Sequence, residues 1–259
     1  MHAAAPPRRP ALAYTPSMIR VVAFDAGNTL LHSEPPPPVI YARHMSRLGR
    51  PVDPAEAAGV FADVWSAMQL EHRPGTDRYH AFPGGERGWW LEFVRRVVRE
   101  LDHDAPIEPL FEALYRAFTD PAIWAVDPDV RPALGALRDA GYRLAVISNW
   151  DTRLPRLLED VGLAPWFETI TVSAVEGVEK PSPAIFRTTA ERMGVEPSEM
   201  LHVGDSPRED YHGARAAGLE AVLLDRRGIF SGNGFRTVPS LDAVPAVLPG
   251  GGGQPRTEV

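Results

Sequence analysis

The chain has 259 residues, 44% of them hydrophobic and 24% charged, the balance of an ordinary globular protein of one large domain or a core with a smaller insertion. Its formal charge of -7 supplies no basic field for a nucleic-acid backbone, and the absence of cysteine excludes disulfides, thiolate nucleophiles and Cys-based metal sites. No apolar run approaches the roughly 20 residues that span a bilayer, so the expectation is a cytoplasmic protein with neither nucleic-acid nor membrane partners.

Residues 1–17 carry Arg8 and Arg9 but are broken by prolines and read as a loose leader. Residues 19–24, IRVVAF, form a short apolar run rich in β-branched side chains, followed at once by Asp25. That is the signature of a buried parallel strand. After the prolines at 35–38 the texture changes: 39–48, 54–69, 86–101 and 109–118 all show apolar residues at helical spacing, with no strand pattern among them. Alternation returns after Asp127. Helices are predicted over 132–140 (closed by Gly141 as a left-handed cap), 154–161, 183–193 and 211–217, and strands over 142–147, 169–172, 200–203 and 221–224. Such alternation implies right-handed crossovers and a mostly parallel sheet. The expected organisation is an α/β core from 18–34 and 126–248, a helical insertion over 35–125, and flexible termini at 1–17 and 249–259, the latter beginning near the GGGG run.

Four short motifs lie at predicted strand ends. In FDAGNTL, Asp25 precedes a small turn-forming loop; a carboxylate so placed can attack phosphorus and form an acyl phosphate. In VISNW, Ser148 and Asn149 can donate to a phosphoryl oxygen. EKPSPAIF holds Lys180, the only lysine in a chain with 27 Lys and Arg together; where arginine serves every other basic position, a lysine points to a site that needs a compact point charge. LHVGDSPRED places Asp205 and Asp210 just past a strand, hard oxygen ligands of the kind Mg2+ takes in phosphate sites. Taken singly, each motif also has a plain reading: turn former or cap for Asp25, helix N-cap for Ser148 and Asn149, surface cation for Lys180, capping group for Asp205. Their common position is the stronger signal, because the carboxyl ends of such strands form one crevice. A carboxylate, a cation, a hydroxyl and metal ligands converging there are the parts phosphoryl transfer needs.

With these motifs in this order, the chain resembles the haloacid dehalogenase-like (HAD) superfamily from about residue 18 to residue 248. The stretches SNWDTRL and HVGDSPREDYHGARAAG are similar to the branch typified by haloacid dehalogenase-like hydrolase domain-containing protein 3. The resemblance implies a Rossmann-like parallel-sheet core with an inserted helical cap domain. Asp25 matches the nucleophile and Lys180 the catalytic lysine. Thr29 matches the threonine that buttresses the first loop and, with Ser148 and Asn149, joins the substrate-binding set. Asp25, the carbonyl of Gly27 and Asp205 match the Mg2+ ligands, with Asp210 in support. A phosphatase acting on a small phosphorylated metabolite through an aspartyl-phosphate is implied.

One position departs from that pattern. Phosphatases of the family carry a second Asp two residues after the nucleophile as general acid and base; here it is Gly27, with His32 and Asp151 as the nearest substitutes. Two alternatives therefore stand beside the phosphatase. One is a 2-haloacid dehalogenase-like hydrolase, whose halide leaving group needs no proton and whose nucleophile is partnered by an arginine that Arg43, Arg47 or Arg50 would supply. The other is a catalytically weakened relative that binds phosphate or a partner.

Overall fold

The computed structural model describes residues 18–71, 75–230 and 232–248; the segments expected to be flexible termini lie outside them. The apolar tetrapeptide VVAF forms β1 (Val21–Phe24), buried on both faces. Val22 and Phe24 point into one hydrophobic cluster, Val21 and Ala23 into another, as the period-2 alternation of a strand inside a two-sided core requires.

A short β2 (Leu31–Ser33) follows, and the chain then leaves for four helices: α1 (Pro37–Leu48), α2 (Pro54–Glu71), α3 (Gly85–Glu100) and α4 (Ile107–Ala117). They match the helical periodicity, shifted by a few residues at their ends. Prolines occupy the first positions of α1, where a fixed φ and a missing N–H cost nothing, so the periodicity of the apolar residues begins later than the helix does. These helices have their own core of Tyr41, Phe61, Trp65, Trp89 and Phe93, with the Phe61 and Phe93 rings edge-to-face at 4.8 Å. Trp89 is a core residue at 3% exposure. The chain returns through β3 (Trp124–Val126), antiparallel to β2 with Leu31 opposite Val126. Three-residue strands carry no readable period, which is why the sequence did not announce this pair.

The remainder alternates as expected: α5 (Val130–Asp139), β4 (Arg143–Ser148), α6 (Leu154–Asp160), β5 (Thr169–Val172), a single turn α7 (Ser173–Glu176), α8 (Pro183–Met193), β6 (Met200–Gly204), α9 (Gly213–Ala217), β7 (Glu220–Leu224) and β8 (Thr237–Val238). Gly141 closes α5 at φ 89. The predicted helix over 211–217 is in fact α9 preceded by a π-helical turn, Pro207–His212, in which Tyr211 N donates to Ser206 O at 3.2 Å. Within this turn Asp210 lies against Gly204 and His202 of β6. All six core strands are parallel, in the order β5-β4-β1-β6-β7-β8. The chain fills one side of β1, then crosses to fill the other. The carboxyl ends of β1, β4 and β6 thus meet at the point where strand order reverses. No helix among the described residues is long and apolar enough to cross a membrane.

Two glycines separate steric from conformational demands. Gly213 lets α9 press against the segment carrying Lys180: a Cβ there would lie 2.9 Å from Pro181 Cα and 3.0 Å from the Phe186 ring. Gly59, on the exposed face of α2, has nothing within 4 Å of such a Cβ. Gly213→Ala should therefore destabilise by about 1–3 kcal/mol through overpacking, while Gly59→Ala should stabilise by about 0.5–1 kcal/mol through backbone entropy. Urea midpoints of the two variants test this. Shifts of the same sign would contradict the packing at Pro181.

Candidate active site

Asp25 follows β1 directly, its N–H held by Val203 O of β6 at 2.9 Å. The loop then doubles back. Leu30 N and Leu31 N both donate to Ala26 O (2.9 and 3.1 Å), and Asn28 N donates to Leu31 O at 2.8 Å. Asn28 takes φ 56, the left-handed region that asparagine tolerates better than most residues. The turn leaves the Asp25 side chain 11% exposed at the end of the sheet, and Ser148, last in β4, donates its Oγ to Asp25 Oδ1 at 3.0 Å.

Lys180 is 2% exposed and donates from Nζ to Asp25 Oδ1 (2.6 Å), Asp210 Oδ1 (2.6 Å) and Ile147 O (2.9 Å). Three ammonium protons meet three acceptors in a space with no room for a planar guanidinium. Asn149 holds this lysine by its main chain: Lys180 N donates to Asn149 Oδ1 at 2.7 Å, and Asn149 Nδ2 donates to Lys180 O at 2.9 Å and to Glu209 Oε2 at 3.2 Å. The Asn149 side chain, expected at the substrate, is thereby fully engaged in placing Lys180. Asp210 is fixed from both oxygens: Oδ2 accepts Ser206 N at 2.9 Å, and Oδ1 faces His202 Nε2 at 3.0 Å as well as the ammonium. His202 and Gly204 share one face of β6; a methyl on Gly204 would overlap the Asp210 carboxyl group.

Burial raises Asp25, assisted by Asp210 and opposed by Lys180. Burial would also raise Asp210, but the Lys180 ammonium and His202 outweigh it and hold that carboxyl below the usual range. Desolvation would lower Lys180, yet Asp210 and Asp25 keep it above its usual value and charged. His202 is held down by burial. A neutral ring facing an ionised carboxylate carries its proton on Nε2, and its Nδ1 finds no partner among the described residues. Asp205 is pushed up to about 7 by burial, with the charges of Asp25 and Asp210 adding to it.

Oxygens of Asp25, Asp205 and Asp210 lie within 4.8 Å of one another. Three acidic side chains face the single Lys180 ammonium; ionising all three would leave two surplus negative charges, a repulsion that adds to burial in raising Asp25 and Asp205. That donor set is hard, oxygen-only and electrostatically incomplete, and it fits a divalent cation such as Mg2+. Thr29 is wholly buried behind the loop; its Oγ1 has no partner among the described residues, and Arg226 Nη2 donates to its carbonyl at 3.3 Å. Gly27 sits beside Trp150, whose ring would lie 3.3 Å from a Cβ on that glycine. Trp150 packs on Trp124 with ring centroids 5.2 Å apart.

Several residues that the sequence reading passed over complete the site. His202 and Ser206 hold Asp210, and Trp150 covers Gly27. The cap also reaches the core: Trp90 Nε1 donates to Asp151 Oδ2 at 2.9 Å, and Arg78 Nε donates to Glu179 Oε2 at 2.8 Å in a buried ion pair. Only His202 carried a usable signal, as a polar residue inside a strand buried along its whole length.

A model of haloacid dehalogenase-like hydrolases matches residues 19–218. Haloacid dehalogenase-like hydrolase domain-containing protein 3 of Bos taurus is 33% identical over 208 residues, 80% of this chain and 82% of the relative. Phosphoserine phosphatase of Thermus thermophilus is 35% identical over 155 residues, 57% of this chain and 61% of the relative. The crystal structure of a HAD phosphatase from Thermococcus onnurineus is similar with a TM-score of 0.60 at 28% identity, covering 88% of this chain and 97% of that one.

The raised Asp205 has a thermodynamic signature. Its carboxyl keeps a proton in the folded protein up to about 7, whereas in the unfolded chain it loses it near about 4. The folded state binds more protons in that window, so in EDTA stability should fall as pH rises from 5 to 7 and level off above. Asp205→Asn should remove that part of the slope. Equal slopes for the two proteins in denaturant titrations would show that the neighbouring carboxylates do not act on Asp205.

Proposed function

Because the chain belongs to the haloacid dehalogenase-like hydrolases, we propose that it is a Mg2+-dependent phosphatase of a small phosphorylated metabolite, working through an aspartyl-phosphate on Asp25. The observation that carries this reading is the charge imbalance around Lys180. Displacement of a halide from carbon gives no reason to gather Asp205 and Asp210 beside the nucleophile, whereas a cation and a phosphoryl group together use every group there. Among the relatives, a phosphoserine phosphatase and a HAD phosphatase bear names that agree with it.

In this reading the core comprises 18–34 and 126–248, and the 35–125 cap closes over the carboxyl end of the sheet. Asp25, Asp205 and the carbonyl of Gly27 would hold a Mg2+, and the chemistry it would supply is neutralisation of negative charge on a phosphoryl group. Lys180 aims Asp25 and opposes the burial that raises it, and its charge stabilises the phosphoryl oxygens. Ser148 Oγ, now bonded to Asp25, can turn to donate to the phosphoryl group. Asp210 orients Lys180, and Asn149 fixes the lysine's backbone. Asp25 attacks phosphorus, the ester oxygen leaves, and water then cleaves the acyl phosphate.

The test is hydrolysis of p-nitrophenyl phosphate with and without Mg2+, alongside halide release from 2-chloropropionate. Hydrolysis should require Mg2+ and be lost in Asp25→Asn, whose amide cannot form the acyl phosphate. Lys180→Arg should lose at least about 100-fold although charge is conserved, since a neutral outcome belongs to exposed sites; circular dichroism separates this from misfolding. Full activity in EDTA, or halide release, would favour the dehalogenase. The bare Gly27 supports a second reading, a phosphate-binding relative without turnover, which predicts phosphate affinity but no p-nitrophenol.

A further inference from the structure

The phosphatase reading leaves one role without an owner. A poor leaving group needs a proton as the P–O bond breaks, and water needs a base when it attacks the acyl phosphate. Gly27 has no side chain, and the Trp150 ring occupies the space beside it. Asp151 does not serve. It is 1% exposed, its Oδ1 accepts Arg153 N (3.1 Å) and Nε (2.9 Å), and its Oδ2 accepts Trp90 Nε1 (2.9 Å) and Arg153 Nη2.

His32 is placed differently. A backbone bridge between Gly27 and Leu31, with the Asn28 N to Leu31 O bond at 2.8 Å, brings β2 back against the first loop. Leu31 and Ser33 are buried, so His32 between them faces the other way. There it lines, with Asn28 and Asp205, a cavity of about 430 Å³, and Asp205 has an oxygen within 4.8 Å of one on Asp25. Through Asn28 and Asp205 this cavity adjoins the first loop and the carboxylate cluster, and it gives a leaving group room there.

The remaining ionisable groups of the cavity have other engagements. Asp225 accepts Ile229 N and Phe230 N (2.9 and 2.8 Å), closing a turn. Arg226 is paired with Asp129 at 2.8 Å and Asp127 at 3.3 Å. Arg227, also on the wall, cannot give up a proton in water. Asp205 belongs to the carboxylate cluster. His32 keeps its Nδ1 3.6 Å from Asp127 Oδ2, which turns that nitrogen toward the carboxylate and leaves Nε2 for another partner.

Resting on the phosphatase reading, we propose that His32, oriented by Asp127, is the proton donor and acceptor that replaces the missing carboxylate, and that the leaving group lies in the cavity between β2 and the 225–230 turn. As Asp25 Oδ bonds to phosphorus and the ester P–O bond breaks, the imidazolium gives its proton to the departing oxygen and becomes neutral. In the second step the neutral ring takes a proton from water as the water oxygen bonds to phosphorus. The Asp25–phosphorus bond breaks, inorganic phosphate leaves, and the imidazolium is restored.

The test compares ethyl phosphate with p-nitrophenyl phosphate in wild type and His32→Gln, which keeps polarity and bulk but carries no transferable proton. The ratio kcat/KM reports the first irreversible step, departure of the leaving group. It should fall at least about 100-fold on ethyl phosphate and less than about tenfold on p-nitrophenyl phosphate, whose leaving anion needs no proton. On p-nitrophenyl phosphate kcat should fall further than kcat/KM, because water attack has lost its base. In His32→Ala, added imidazole should restore ethyl phosphate turnover, since the vacated cavity admits it. Equal losses on both substrates, or no loss and no rescue by imidazole, would overturn the assignment while leaving the phosphatase intact. A wild type inert to both phosphates would instead remove the phosphatase reading and this inference with it.

Discussion

Lys180 has three ammonium protons and finds three acceptors: a carboxylate at the end of β1, a main-chain carbonyl of β4 and a carboxylate on the π-helical turn after β6. Taking a cation out of water costs several kcal/mol, recovered only when geometry and hydrogen bonding are complete. Here they are, and much of the surrounding structure exists to make them so. Asn149 clamps the lysine's backbone, Gly213 admits α9 against the following proline, and His202 with Ser206 N fixes the second carboxylate. Removing one member of such a buried set typically costs about 3–5 kcal/mol, because the partners are left charged and unpaired. Integrity of the fold and readiness of the site are thus one arrangement of charge.

Much of this was legible beforehand, and the exceptions follow a physical rule. Strand ends with a carboxylate, a hydroxyl or a Gly-Asp pair were readable because a parallel sheet buries apolar runs and puts polar residues where they stop. The cap helices were readable from the periodicity of their apolar residues. What escaped was short or set by tertiary contact. The β2–β3 pair has three residues a side. The π-helical turn carries Asp210 to Gly204, a tertiary contact no local pattern encodes. Asn149 and Thr29 keep the positions their motifs suggested, but the Asn149 amide turns to Lys180 and Thr29 turns inward. A motif gives residue identity and approximate place; which way a side chain points is decided by the neighbours the fold brings to it.

The glycine at 27 and the tryptophan at 150 belong together. A branched acid at position 27 would press on the indole, and the indole in turn packs on Trp124 in the strand by which the chain returns from the cap. Nearby, Trp90 of the cap hydrogen-bonds Asp151, the next residue along, and Arg78 pairs with Glu179, the residue before the lysine. Cap and core therefore touch through chain neighbours of two site segments, so any displacement of the cap is felt one residue from Lys180. The side of the first loop away from these contacts is where the structure leaves open space.

The scarcity of lysine has a practical side. The sequence contains one lysine, and it is 2% exposed at the centre of the site. Folded molecules consequently present amine-reactive reagents with no accessible ε-amine. Acylation, reductive methylation or Lys-directed proteolysis at position 180 therefore requires the cluster around Lys180 to open. Mass spectrometry of that single modification counts the molecules in which it has opened, and its rate measures how often the protein opens at the carboxylate cluster that holds Lys180.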